Sequence, residues 1–322
     1  MTHRLIVPML LGCLFSAALS SSHAAEITAE KTDQGVAVKI DGELFTYYLT
    51  CSGSKPILWP VIGPTGKPLT RAYPMHSDNA DERQDHPHQR SVWFTHGDVN
   101  GIDFWGADPN NPKIAKPGTT KHRKFVAVES GPQAKVVAQN DWLGPDGKKV
   151  LEDERRLTFG VDGDSRWIDY DIVLKATEGP VTFGDTKEGA MGVRTAASMK
   201  VDAKKGGHIV NAEGLTDKEA WGKRSAWVDY VGPVDGQTVG IAFMNHPSST
   251  RFPTYWHVRT YGLFAANPFG VSDFTQSKAE NGALTIPAGE SVTLRYRILL
   301  HKGDTKQAKV AEAFESYAKQ TD

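Results

Sequence analysis

The stretch Arg166-Trp167-Ile168-Asp169-Tyr170-Asp171-Ile172-Val173-Leu174 places Ile168, Tyr170, Ile172 and Leu174 at every second position, around Asp169 and Asp171. Period two with charges on the opposite side is the pattern of a strand with one face in a core and the other toward water. Working outward, Gly35-Val36-Ala37-Val38-Lys39-Ile40-Asp41-Gly42 repeats it between glycines. The same reading predicts strands over 124–130, 134–142, 151–161, 208–211, 226–231, 238–244 and 291–301, with Gly, Pro, Asp and Asn marking turns every ten or so residues. Only 305–319 has helical spacing, with Val310, Ala313, Phe314 and Tyr317 on one stripe suited to lie as a lid on a sheet. So many strands without a repeat of fixed length predict an all-β fold. The architecture expected is a large antiparallel two-sheet β-sandwich with a C-terminal helix, and a propeller or solenoid is excluded. No Pro/Gly/Ser-rich linker divides the chain, so residues 25–322 are expected to form a single β-sandwich domain. The long polar loop over 106–121 reads as the rim of a pocket.

The chain opens with His3 and Arg4, an apolar run over 5–19, and small residues at Ser22 and Ala24. That order reads as a signal peptide over 1–24, removed on export, and it predicts a periplasmic or extracellular protein. The apolar run is short for a membrane span and no later window is apolar enough, so no membrane span is expected. Leu10-Leu11-Gly12-Cys13 resembles a lipobox, which makes a lipoprotein the alternative; the apolar residues after Cys13 argue against it. Export would leave Cys51 as the one cysteine, hence no intramolecular disulfide. With a net charge of -1 and no basic run, nucleic acid and anionic membrane surfaces are poor partners.

Chemistry concentrates in four segments. The first, over 84–105, reads Q-D-H-P-H-Q-R-S-V-W-F-T-H-G-D-V-N-G-I-D-F-W. It brings His86, His88, His96, Arg90, Asp98, Asn100 and Asp103 together with Trp93, Phe94, Phe104 and Trp105. In a strand His86 and His88 would share a face, a pattern that suits a divalent metal if a third ligand such as His96, Asp98 or His257 joins them. Pro87 favours an edge or loop instead, where the imidazoles could bind sugar hydroxyls or move protons. Asp98 and Asn100 also fit turns closed on their own backbone. Of the four aromatics, alternate ones should face core and pocket, and an aromatic face beside carboxylates and imidazoles is how proteins hold pyranose rings.

The second segment, over 246–263, carries His246, Arg251, Tyr255, Trp256, His257 and Arg259, and alternation turns His257 and Arg259 toward the pocket. The third, over 183–195, supplies Asp185, Glu188 and Arg194 among glycines; Glu188 could serve as a general base, against the alternative of a solvated turn pairing Lys187 with Glu188. The fourth, over 221–230, sets Lys223 and Arg224 between Trp221 and Trp227, where they could hold an anionic or hydroxyl-rich ligand. There is no G-x-S-x-G elbow, P-loop, dinucleotide fingerprint or H-E-x-x-H, so serine hydrolase, NTPase and zincin chemistry find no support.

Taken together, D-H-P-H-Q-R-S-V-W-F-T-H-G-D-V-N-G-I-D-F-W, D-T-K-E-G-A-M-G-V-R-T-A, W-G-K-R-S-A-W-V-D-Y and H-P-S-S-T-R-F-P-T-Y-W-H-V-R-T-Y-G-L-F-A-A-N-P-F-G resemble the PmoA-like family of secreted bacterial proteins. The methane oxygenase label attached to that family implies a membrane copper enzyme, and this sequence lacks the helices such a subunit needs. The family's first motif runs H-P-H-H-R-G, and Gln89 and Ser91 depart from it here. The resemblance implies a secreted sandwich similar in outline to sugar mutarotases and to sandwich domains of polysaccharide-degrading systems. It therefore implies a carbohydrate ligand and a carbohydrate-active enzyme of hydrolase, lyase or epimerase type. By analogy, Glu188 or Asp185 would be the base and His88, His96 or His257 the acid. His86, Arg90, Asp98, Asn100, Asp103, Trp105, Arg194, Lys223 and Arg224 are the expected substrate contacts, with His246, Arg251, Trp256 and Arg259 from the second segment. The alternatives are a non-catalytic carbohydrate-binding protein and a metal-dependent enzyme ligated by His86 and His88.

Overall fold

The computed structural model describes residues 25–78 and 82–321. The signal peptide expected over 1–24, with Cys13, lies outside the described residues. In chain order the strands are Ile27–Thr32 (β1), Gly35–Ile40 (β2), Glu43–Ser52 (β3), Lys55–Val61 (β4), Val92–His96 (β5), Thr119–Glu129 (β6), Ala134–Leu143 (β7), Lys149–Asp162 (β8) and Ser165–Lys175 (β9). They continue with Val181–Phe183 (β10), Gly189–Arg194 (β11), His208–Asn211 (β12), Trp227–Val234 (β13), Gln237–Asn245 (β14), Tyr255–Val258 (β15), Leu263–Asn267 (β16), Leu284–Ile286 (β17) and Ser291–Lys302 (β18).

Two antiparallel eight-stranded sheets result. The first runs β1-β2-β3-β4-β5-β11-β16-β15 and the second β12-β13-β14-β18-β9-β8-β7-β6, while β10 and β17 form a small separate pair. This is the expected two-sheet sandwich. The stretch over 166–174 is β9, in the second sheet between β18 and β8. Its Ile168, Tyr170, Ile172 and Leu174 enter the core between the sheets. Val36, Val38, Phe94, Met191, Phe264 and Trp256 meet them from the first sheet, in one continuous apolar cluster.

One polar device crosses that core. Arg155 of β8, fully buried, pairs with Asp153 (Nη2 to Oδ2 3.0 Å) and donates to the carbonyls of Pro56 (3.4 Å) and Phe94 (3.3 Å) on the opposite sheet. Asn140 and Trp142 donate to the same Asp153 carboxylate, so the buried charge is satisfied on several sides.

The C-terminal helix is Val310–Ala318, shorter than the 305–319 pattern because 304–309 forms turns, with Lys309 in the left-handed region at φ 51°. Val310 and Tyr317 lie against Trp167, Trp227, Met244 and Leu299 on the outer face of the second sheet, the lid arrangement anticipated for the stripe. Cys51 is a free, exposed thiol. No helix among the described residues is long and apolar enough to cross a membrane.

Candidate functional site

The first sheet's outer face is where the chemistry gathers. In β5, Val92 and Phe94 point into the inter-sheet core, which turns Trp93 and Thr95 outward. Trp93 can lie flat there because its neighbour in the ladder is Gly192: a Cβ at that position would stand 2.6 Å from the indole. Trp105 packs on Trp93 with centroids 4.9 Å apart, and Ile57, Leu263 and Ala265 complete a second apolar cluster on this face. Phe104, like Phe94, goes to the inter-sheet core.

Above this floor hangs the loop with His86 and His88. It is not a strand: His86 has φ 45° and Gln89 closes a turn onto the His86 carbonyl (2.9 Å). Arg71 holds the loop, donating from Nη1 to the carbonyl and carboxylate of Asp85 (2.9 Å each) and from Nη2 to the carbonyls of His86 (2.9 Å) and Gln89 (3.0 Å). Arg194 binds the Gln89 amide oxygen and the Asp85 carboxylate, and its guanidinium lies 4.6 Å from the Tyr261 ring centre. His86 stacks on the other partner of that ring system, Tyr261, at 5.4 Å and 10°. The two histidine rings meet edge to face at 5.7 Å.

Burial, with the charges of Lys55, His86, Arg71 and Arg194, lowers the His88 pKa to about 3, so the ring is neutral near pH 7, and its buried Nδ1 has no partner among the described residues. The indole Nε1 atoms of Trp93 and Trp105 are likewise buried and unpartnered. Lys55, enclosed beneath them, donates to the Trp105 carbonyl (3.2 Å). Burial brings its pKa down to about 7, against the pull of Asp108 and Asp103.

The other wall comes from β15 and the turn before β11. His257 Nδ1 lies 2.8 Å from the Lys187 carbonyl, which can only accept; Nδ1 therefore carries the proton, and Nε2 keeps a lone pair. Burial lowers the His257 pKa, with the neighbouring Glu188 carboxylate opposing. Glu188 itself is half-exposed, 3.7 Å from Lys187 Nζ, and its charge reaches Asp103 and Tyr261 as well. Asp103 has its pKa raised by burial, against the N–H groups of Gly106 and Trp105 and the charge of Lys55. Trp221 stands edge-on to His257 at 6.4 Å, and Arg259 lies over both Trp221 (5.9 Å) and Tyr261 (5.8 Å).

Of the residues expected from the sequence, His86, His88, Trp105, Arg194, Glu188, His257, Arg259 and Asp103 thus meet on or around one face. The others are placed elsewhere. His96 has the core parity of β5: it is enclosed between Phe183 and Phe269 and donates from Nε2 to the Gly184 carbonyl (2.7 Å), so it does not reach the face. The Asp185 carboxylate accepts from the backbone of Val271, Ser272 and Gly282, donors that outweigh burial and lower its pKa; it ties loops together. Arg90 is locked to Asp108 (2.6 Å) and Ser52, Arg224 to the Pro253 and Phe252 carbonyls, and Arg251 to those of Pro268, Gly282 and Ala283. Asp98 closes a turn by accepting from Gly101 N (2.9 Å), and Asn100 Oδ1 accepts from Thr182 N (2.8 Å), tying that turn to β10. Asp98 and Asp103 also border a cavity of about 480 Å³ rimmed by Lys113, Ile114 and Lys116 of the long polar loop. Trp256 fills the core with its Nε1 bonded to the Ser225 carbonyl (2.8 Å). His246 sits against Tyr317 under the C-terminal helix, and Lys223 is exposed.

Lys55, Arg71, Asp85, Gln89, Trp221 and Tyr261 were not among the expected site residues. Tyr261 and Trp221 stood inside quoted segments; for Lys55 the one available signal is a lysine leading the otherwise apolar K-P-I-L-W-P-V. Among the described residues no three His, Cys, Asp or Glu side chains gather as a metal would need, so the His86–His88 pair lacks a third ligand and no chemistry is routed through a metal.

No curated protein matches the sequence. Among solved structures, the alpha-galactosidase from Lactobacillus brevis aligns at 8% identity and TM-score 0.43 over 87% of this chain, and the chain spans 40% of that protein. A galactose mutarotase-like protein from Clostridium acetobutylicum aligns at 9% identity and TM-score 0.35, over 86% of this chain and 98% of that one. A polysaccharide lyase aligns at 11% identity and TM-score 0.30, over 91% and 34%. Residues 35–315 match a family model described as a family of unknown function, DUF6807, and the chain belongs to that family.

Proposed function

We propose that this chain is an exported, PmoA-like carbohydrate-active enzyme that transfers protons on a sugar bound to the outer face of the first sheet. The observation that carries the reading is His257, whose Nδ1–H is fixed by the Lys187 carbonyl, with Glu188 next to that carbonyl near enough for its charge to act on the ring, on the same face as the unpartnered His88 nitrogen. His257 Nε2 and the Glu188 carboxylate are then two bases able to take a proton from a hydroxyl or ring carbon. His88, neutral, gives a hydrogen-bonding nitrogen to a sugar oxygen, while Tyr261 and Trp221 offer ring faces to the apolar side of a pyranose. Export rests on the signal-like residues 1–24.

Glu188→Gln tests it. Turnover on an oligosaccharide panel, followed by product chromatography, should fall at least about 100-fold, with sugar affinity by calorimetry retained. Unchanged turnover would remove Glu188 from the mechanism, and binding without turnover in the native protein would favour a non-catalytic binding protein. A second reading, glycoside hydrolysis, is favoured by Asp103: burial raises its pKa beside the Glu188 charge, as a proton-holding acid beside an ionised partner requires. New reducing ends that vanish with Asp103→Asn would select it.

A further inference from the structure

Beside the imidazole wall lies a cavity of about 380 Å³ that shares Trp221 and Tyr261 with the site and adds Arg259, Lys218 and Asp202. Arg259 is exposed, yet it is held in place. Its backbone N–H bonds to Leu263 O (2.7 Å), its carbonyl accepts from Gly262 N (3.0 Å), and its guanidinium rests on the rings of Trp221 and Tyr261. The guanidinium carbon stands 5.9 Å from the Trp221 ring centre and 5.8 Å from that of Tyr261, and no carboxylate among the described residues forms an ion pair with it. Trp221 Nε1, a group that only donates, is buried and without a partner. Lys218 adds a second cation and Asp202 is the one carboxylate on the lining. The Lys200 chain lies close to Gly262, within reach of the charges of Arg194, Arg83 and Arg71, with the Asp85 carboxylate among them. A donor-rich lining with a preorganised guanidinium fork suits a planar, two-oxygen acceptor.

We propose that this cavity is a subsite for the carboxylate of an acidic sugar, a uronic acid residue, gripped by Arg259 with Trp221 and Lys218 while the chain's neighbouring sugar lies against Glu188 and His257. The inference rests on the sugar reading above and narrows its substrate class.

The test is calorimetry of the full chain against galacturonate, glucuronate and mannuronate trimers, each beside its methyl ester, with neutral galactose and glucose trimers alongside. At least one acid should bind about tenfold or more tighter than its ester, and Arg259→Gln should collapse that ratio toward one through loss of the acid's affinity. Arg259→Lys, which keeps charge and loses the fork, should retain only part of the preference. Equal binding of acids and esters, or a preference that survives Arg259→Gln, overturns the acidic subsite and leaves the sugar reading standing. Failure of every sugar, acidic or neutral, to bind overturns both. Because Arg259 is exposed, Arg259→Gln should unfold at the native temperature; if it does not fold, Arg259→Lys carries the comparison.

Discussion

On the outer face of the second sheet, Arg297 stands directly across the ladder from Asp169 (2.6 Å) and Arg295 across from Asp171 (3.3 Å), while Lys175 and Arg156 share Glu154. On the outer face of the first, Arg259 has aromatic rings in place of a carboxylate, and buried ring nitrogens of His88, Trp93 and Trp105 have no partner. Both faces belong to eight-stranded antiparallel sheets sharing one core, so architecture does not account for the difference. Cross-strand charge pairs stabilise a solvated surface modestly and leave those side chains already partnered. Unspent donors cost stability where they are buried, and those of Trp93, Trp105 and Trp221 lie at the face that carries the candidate site.

The sharpest way to break this contrast is at the junction of the sheets. Arg155 belongs to the charge-satisfied second sheet but donates to β4 and β5 backbone beneath the site. Arg155→Met removes one partner of a fully buried pair and should lower unfolding free energy by about 3–5 kcal/mol in urea titration. A loss under about 1 kcal/mol would mean that Asn140 and Trp142 suffice for Asp153, and that the sheets are joined by apolar contact alone.

A matched pair of glycines sharpens it further. Gly192 lies under Trp93 on the first sheet and Gly160 under Trp167 on the second; an added Cβ would stand 2.6 Å and 2.1 Å from the respective indoles. Each glycine-to-alanine change should cost about 1–3 kcal/mol by displacing a tryptophan. Only Gly192→Ala should also weaken sugar binding, because Trp93 forms the floor beneath the histidine loop whereas Trp167 supports the C-terminal helix. Equal effects on binding from both would detach the floor from the site.

The same asymmetry governs what could be read from the sequence. In the second sheet β7, β8 and β9 alternate because one side is core and the other carries charges, and they, with β14 and β18, which are largely buried on both sides, fall within about two residues of the predicted spans. The central strands of the first sheet, β5, β11 and β16, are buried on both faces, since a second apolar cluster covers their outer side; period two vanishes there, and none was predicted as a strand by alternation. The candidate site was legible as neighbourhoods. Its four segments do converge in part, but Arg90, Arg224 and Arg251 look like Arg259 in the sequence and differ in the partners that consume them, the Asp108 carboxylate for Arg90 and backbone carbonyls for the other two. Arg71 and Lys55 come from a stretch with no chemical signature of its own, and their roles arise from tertiary contacts alone.

The smallest expected effect again lies on the second sheet. His301 is buried with Nε2 3.1 Å from Asp229 Oδ1 and Nδ1 3.3 Å from the Lys302 carbonyl. Both partners accept, so both ring nitrogens donate, and the ring is an imidazolium. Burial opposes that charge, but Asp229, the two hydrogen bonds and Asp304 outweigh it and raise the His301 pKa. A pKa raised by folding stabilises fully below the unfolded histidine value, about 6.5, and that contribution fades as pH rises through the folded value. The native protein should therefore lose stability relative to His301→Gln as pH climbs from about 6.5 upward, read by denaturant midpoints across the range. His88 and His257 shift the other way, their pKa values lowered by burial, so they work against folding where histidine is charged in the unfolded chain. Below about pH 6.5 His301 of one face supports the fold while His88 and His257 of the other weaken it, and substituting each in turn should show opposite slopes.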